Sequence, residues 1–95
     1  MAKARAHILI TGRVQGVYFR SSARAEAERN GLLGWVKNTK VGSVEIVAEG
    51  EKEDIEGLIA WCRVGSPSSK VAEVKVNWEE YTSEFHGFKV EYSGY

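Results

Sequence analysis

The order of its hydrophobic patterns is the feature that most constrains how this 95-residue chain can fold. Five segments are apolar or alternate apolar and polar residues, as β-strands do: residues 6–11, 32–37, 43–48, 71–78 and 88–92. The first of them breaks at Gly12. In the third, one face is expected to be buried and the other wetter, and the wetter face carries Ser43, Glu45, Val47 and Glu49.

Two further segments have the composition or spacing of helices. Residues 19–30 are rich in Ala, Arg and Glu, with Phe19, Ala23 and Ala27 spaced to face inward. A second helix should begin at residues 51–54, where acidic side chains suit a helix amino terminus. Its apolar positions recur at helical spacing, and they are Ile55, Leu58, Ile59 and Cys62.

The resulting order, β-α-β-β-α-β with a final strand, predicts an α+β sandwich: an antiparallel sheet of four to five strands with both helices on one face. In this topology the first two strands run in the same direction with the third between them, so both end at the same sheet edge. The loop after Thr11 and the residue Asn38 should therefore be neighbours. At about 100–200 residues per domain, residues 1–95 are expected to form a single domain.

Composition excludes several classes of protein. No apolar run approaches the about 18 residues of a membrane span, so no membrane partner is expected. The amino terminus has no long apolar stretch, so we expect no signal sequence and a cytoplasmic location. Cys62 is the single cysteine, which excludes an internal disulfide and a multi-cysteine metal site.

The charges are unevenly distributed along the chain. The 13 basic and 13 acidic residues cancel overall, but residues 1–41 carry eight basic and two acidic ones. Within this part, residues 12–20, GRVQGVYFR, connect the first strand to the first helix. Free N–H groups at a helix amino terminus bind anions, and Arg20 adds a fork of donors that fits phosphate or carboxylate oxygens. The alternative is an ordinary glycine-containing turn with an exposed arginine.

Residues 12–20, together with residues 34–44, GWVKNTKVGSV, and Gly50, resemble the two sequence signatures of the acylphosphatase family. The resemblance extends over nearly the whole chain and implies a ferredoxin-like fold. One departure is the loop after the second helix, which reads Gly65-Ser66-Pro67-Ser68 where the family often has Gly-Pro-Pro followed by Ala. Because this loop is distant from both signatures in sequence, we expect it to affect local geometry rather than activity.

The resemblance implies hydrolysis of a small-molecule acyl phosphate to a carboxylate and inorganic phosphate, with no cofactor and no metal. By position, Arg20 resembles the family's phosphate-binding arginine and Asn38 its water-orienting asparagine. The backbone of a phosphate-binding loop would complete the site, and its residues are Gln15, Gly16, Val17, Tyr18, Phe19 and Arg20. Inorganic phosphate or sulfate would compete with the substrate for this loop. The resemblance to small family members also implies a monomer.

Two alternative functions remain to be considered. The same topology occurs in RNA-binding modules, but these need aromatic residues on the third strand, and residues 43–48 contain none. No nucleic acid partner is therefore expected. The second alternative is a non-catalytic regulatory domain that binds phosphate or an acyl phosphate. The presence of both Arg20 and Asn38 favours the enzyme.

Overall fold

The computed structural model describes residues 2–92. The predicted single domain also includes residues 1 and 93–95, which lie outside the described part. Two helices and five strands follow one another in the expected order: β1 (Lys3–Arg13), α1 (Phe19–Arg29), β2 (Leu33–Asn38), β3 (Val44–Glu51), α2 (Lys52–Val64), β4 (Lys70–Glu79) and β5 (Phe88–Glu91). Within residues 2–92, no helix has the length and apolar character needed to cross a membrane.

The five strands form one sheet in the order β4-β1-β3-β2-β5. Because β3 is antiparallel to both β1 and β2, these two strands run in the same direction, as predicted. The ferredoxin-like α+β fold is thus confirmed. The expectation of an antiparallel sheet holds for β1 to β4, whereas β5 pairs with β2 in parallel. This pairing arises because the chain crosses the sheet from its β4 edge to its β2 edge before β5 begins.

The sequence predicted that β1 ends at Gly12, but the strand continues past this residue. A β-bulge between Thr11 and Gly12 lets the strand continue to Arg13. Gly12 has a φ of 123°, and a Cβ atom there would collide with the backbone of Lys70 on β4. The glycine therefore allows close approach of two strands instead of ending one.

Both helices bury the residues that their periodicity predicted. Phe19, Ala23 and Ala27 of α1 are buried, and the small alanines let this helix lie close to the sheet. Helix α2 buries four apolar side chains in the same core, namely Ile55, Leu58, Ile59 and Cys62. The sheet contributes alternate residues of its central strands, including Ile8, Ile10 and Ile46.

The predicted wetter face of β3 is largely covered, which corrects that expectation. Ser43, Val47 and Glu49 are all buried, and Glu49 is only 1% exposed. The cover over Glu49 comes from the crossing segment, residues 80–87, which runs over the sheet face away from the helices. The backbone N–H groups of Thr82 and Ser83 donate hydrogen bonds to the Glu49 carboxylate at 2.8 and 3.0 Å.

Candidate functional site

The connection between β1 and α1 is bent by two residues in the left-handed conformation. Gly16 has a φ of 73° and Tyr18, which precedes the helix, a φ of 61°. The buried side chains of Val14 and Val17 anchor this connection in the core. The helical ladder begins with the Ser22 N–H, which donates to the Tyr18 carbonyl oxygen at 3.1 Å. The earlier backbone N–H groups of the first turn therefore stand outside that ladder.

Asn38 is the last residue of β2 and comes close to this connection through the sheet. Both Asn38 and Ile10 of β1 pair with Val44 of β3, so they lie in one row across three strands. The predicted proximity of the first loop and Asn38 is thereby confirmed. Parallel strands on either side of β3 end at one sheet edge, which is the physical reason for it.

The side chain of Gln15 joins the two segments directly. Its Nε2 atom donates to the carbonyl oxygens of Thr39, at 2.9 Å, and Ser43, at 2.8 Å. The sequence had suggested only a backbone role for Gln15. Its side chain instead ties the β1–α1 connection to the turn that follows Asn38.

A cavity of about 400 Å³ opens between these two segments. Its lining includes both predicted catalytic residues, Arg20 and Asn38, which the fold brings together from different elements. The Arg20 guanidinium lies 5.0 Å from the centre of the Tyr92 ring, which follows β5. The remaining lining residues are Val14, Gly16, Tyr18, Phe19, Ser21 and Val90.

The six residues of the predicted phosphate-binding loop have different surroundings. Gly16, Tyr18, Phe19 and Arg20 line the cavity, whereas Gln15 and Val17 do not. Val17 is buried below the connection, so only its backbone is available to a ligand.

Sequence reasoning missed two contributors from distant parts of the chain. Tyr92 reaches the cavity from the end of β5. Ser66, in the loop after α2, donates from Oγ to the Val17 carbonyl oxygen at 2.8 Å. That loop is far from the signatures in sequence, but it contacts the first of them. Its departure from the usual family pattern was the one available signal.

The side chains that line the cavity suit a negatively charged ligand. Arg20 supplies the positive charge, and the described lining residues include no carboxylate, histidine or cysteine. Among residues 2–92 there is also no group of three or more potential His, Cys, Asp or Glu ligands that could hold a metal ion. The arrangement suits recognition of a phosphoryl group by N–H donors beside a helix amino terminus.

Comparisons with known proteins agree with this chemistry. The sequence profile of the family described as Acylphosphatase matches residues 6–90. An acylphosphatase of Pelotomaculum thermopropionicum is 49% identical over 90 residues, covering 95% of this chain and 98% of that protein. One of Aeropyrum pernix is 51% identical over 89 residues, covering 93% and 88%. The crystal structure of acylphosphatase from Bacillus subtilis has a TM-score of 0.90 and 38% identity, covering 94% and 99%. This chain therefore belongs to the acylphosphatase family and is a hydrolase of acyl phosphates.

Proposed function

We propose that Arg20 and Asn38 are the catalytic residues of this hydrolase. In the proposal, Arg20 and the phosphate cradle, which we define as the backbone N–H groups of residues 15–20, hold the phosphoryl oxygens. The Asn38 side chain orients the attacking water. The observation that supports these roles is that Arg20 and Asn38 line one cavity beside the amino-terminal end of α1.

The proposed reaction needs no side-chain base. The water oxygen bonds to phosphorus while the bond from phosphorus to the acyl oxygen breaks, and the carboxylate leaves with that electron pair. The water proton passes to a phosphoryl oxygen of the substrate. Because carboxylate is a good leaving group, positioning and stabilisation of charge at phosphorus carry the catalysis. We therefore expect kcat to show no titrating enzyme group between about pH 5 and 8.

The proposal also covers the location, oligomeric state, cofactor need and competing ligands of the enzyme. Residues 1–95 act as a single cytoplasmic domain and a monomer, without metal or cofactor and without nucleic acid. The substrate is a small acyl phosphate, and inorganic phosphate or sulfate competes with it. The support for anion competition is that Arg20, whose guanidinium carries a fork of N–H donors, lines the cavity.

The test compares hydrolysis of an aromatic acyl phosphate by the wild type, Arg20→Ala and Asn38→Ala in the presence of a chelator. Arg20→Ala should weaken binding of both substrate and inorganic phosphate and remove most turnover, since a charged fork of donors is lost. Asn38→Ala should lower kcat by about 10²–10³, as expected for one transition-state donor, with little change in KM.

Arg24→Ala provides a matched control on the same helix. Arg24 is exposed and pairs with Glu28 at 3.3 Å, so its loss should leave turnover unchanged. An Asn38→Ala variant with normal kcat and a raised KM would contradict the water-orienting role. A folded wild type that binds phosphate without turnover would contradict the catalytic roles proposed for Arg20 and Asn38.

A further inference from the structure

Ser66 lies directly beneath the backbone of the proposed phosphate cradle. Ser66 is 3% exposed, and its hydroxyl donates a 2.8 Å hydrogen bond to the carbonyl oxygen of Val17. Val17 immediately precedes Tyr18, the residue with left-handed backbone. The contact joins residues that are 49 positions apart in sequence.

This hydrogen bond controls the direction of one backbone N–H group. The peptide bond between Val17 and Tyr18 is trans, so its C=O and N–H point in opposite directions. Because Ser66 holds the carbonyl on the buried side, the N–H of Tyr18 is turned away from that side. Tyr18 itself lines the cavity. A left-handed conformation is unfavourable for tyrosine, so contacts from neighbouring segments must maintain it.

The loop that carries Ser66 is itself held in place. Ser69 donates to the Ser66 carbonyl oxygen from its backbone N–H, at 2.9 Å, and from Oγ, at 2.7 Å. Gly65 has a φ of 81°, and a Cβ atom there would press on Ser69 Oγ and on the ring of Phe19, the first residue of α1. The loop therefore packs closely against the start of α1 and supports the Ser66 hydroxyl.

We propose that Ser66 is a positioning residue of the enzyme, which aims the Tyr18 N–H at a phosphoryl oxygen of the substrate. The inference rests on the proposed function, because it assigns that amide to the phosphate cradle. Ser66 does not touch the substrate and acts through the peptide bond between Val17 and Tyr18. A merely structural hydroxyl would affect stability and leave the phosphate affinity of the folded protein unchanged.

The test measures binding of inorganic phosphate and acyl phosphate hydrolysis for the wild type, Ser66→Ala and Ser68→Ala, at a temperature where all three are folded. Ser66→Ala should bind phosphate about tenfold more weakly, the value of one typical hydrogen bond, and kcat/KM should fall at least as much. Ser68→Ala is the matched control, because it removes an exposed serine hydroxyl from the same loop and leaves the bonds of Ser66 to Val17 and Ser69 in place. Its affinity should stay within about twofold of the wild type, less than one hydrogen bond.

Equal phosphate affinities for Ser66→Ala and the wild type would overturn the proposal. A second measurement needs no variant: phosphate is added to wild-type protein while backbone amide shifts are followed by NMR. The Tyr18 amide should shift together with those of Gly16 and Arg20. If Gly16 and Arg20 shift and Tyr18 does not, the role of Ser66 is wrong, while the other amides of the proposed cradle keep their role. If no amide in residues 15–20 shifts, the proposed cradle itself is wrong.

Discussion

Two side chains near the candidate site bond to backbone carbonyl oxygens. Gln15 holds two carbonyl oxygens of the turn after Asn38, and Ser66 holds the carbonyl oxygen of Val17. Neither side chain lines the cavity. Each such hydrogen bond stabilises the fold and restricts where the neighbouring backbone of the candidate site lies.

Gln15 provides a test of this principle. Gln15→Ala should lower the free energy of unfolding by about 1–3 kcal/mol, because two partly buried hydrogen bonds of about 0.5–1.5 kcal/mol each are lost, while both carbonyl oxygens keep a backbone donor. It should also lower kcat, because the turn after Asn38 is no longer tied to the β1–α1 connection. Urea unfolding and steady-state kinetics measure the two effects.

Gln15→Glu is the informative companion variant. It keeps the size of the side chain but replaces the donor by a carboxylate that faces two carbonyl oxygens, so it should be less stable than Gln15→Ala. A glutamate variant as stable as the wild type would show that these hydrogen bonds do not matter.

At the scale of elements, the crossing segment and β5 depend on one row of charged residues. Arg5 of β1 pairs in register with Glu49 of β3 and Glu79 of β4. Its guanidinium contacts both carboxylates, at 3.3 Å and 3.0 Å, and that of Glu84 in the crossing segment at 2.9 Å. This row fixes the segment that leads the chain across the sheet towards β5, whose end reaches the cavity.

Glu49 makes this row sensitive to acid. Burial by itself raises the pKa of its carboxyl group, but hydrogen bonds from Thr82, Arg5 and Ser83 outweigh burial and hold that pKa below its usual value. The unfolded chain therefore takes up a proton before the native state does. The contribution of Glu49 to the free energy of unfolding is fully present above the usual carboxyl pKa of about 4.3. It is lost as pH falls through the lower pKa of the native state.

Glu49→Gln should lower the free energy of unfolding at pH 7 by about 1.5–3 kcal/mol, the range for hydrogen bonds to a charged group. It should also reduce the loss of stability on acidification. Urea unfolding at pH 7 and pH 3 measures both. Glu73→Gln, on the exposed part of β4, is the control and should behave like the wild type. A Glu49→Gln variant with unchanged acid sensitivity would contradict the assignment.

At the scale of the whole molecule, both faces of the sheet are covered by different means. The helices and the sheet share one apolar core on one face, and the crossing segment covers part of the other. Cys62 of α2 lies in that core with no exposed surface. Burial raises the pKa of its thiol to about 12. The thiol is therefore protonated at neutral pH, and a reagent reaches it only when the core opens.

Labelling of Cys62 should accordingly report opening of the whole molecule. At pH 8, alkylation of native protein should be at least about 10³-fold slower than in concentrated urea. The reason is that equilibrium constants for folding of small domains are typically about 10³ or larger. Mass spectrometry of samples quenched over time measures the rate, and a free thiol in the same buffer corrects for the reagent. Native labelling within tenfold of the unfolded rate would mean that α2 opens without global unfolding.

The sequence by itself determined the elements, their order and the position of the candidate site. Periodicity depends on near neighbours in the chain, so α1, α2 and their buried residues were predictable from local pattern. The topology then implied that the β1–α1 connection and Asn38 meet at one sheet edge. Boundaries were less predictable, because Gly12 continues β1 through a bulge that depends on its partner strand.

Only the tertiary structure decided how the site is supported. Gln15 and Ser66 bond to backbone carbonyl oxygens 28 and 49 residues away, and such acceptors are the same at every residue. They leave no pattern in the sequence. Burial of Glu49 depended in the same way on where residues 80–87 cross the sheet. Local elements can therefore be predicted from the periodicity of side-chain types. Hydrogen bonds to backbone groups distant in sequence cannot, because they depend on the folded path of the chain.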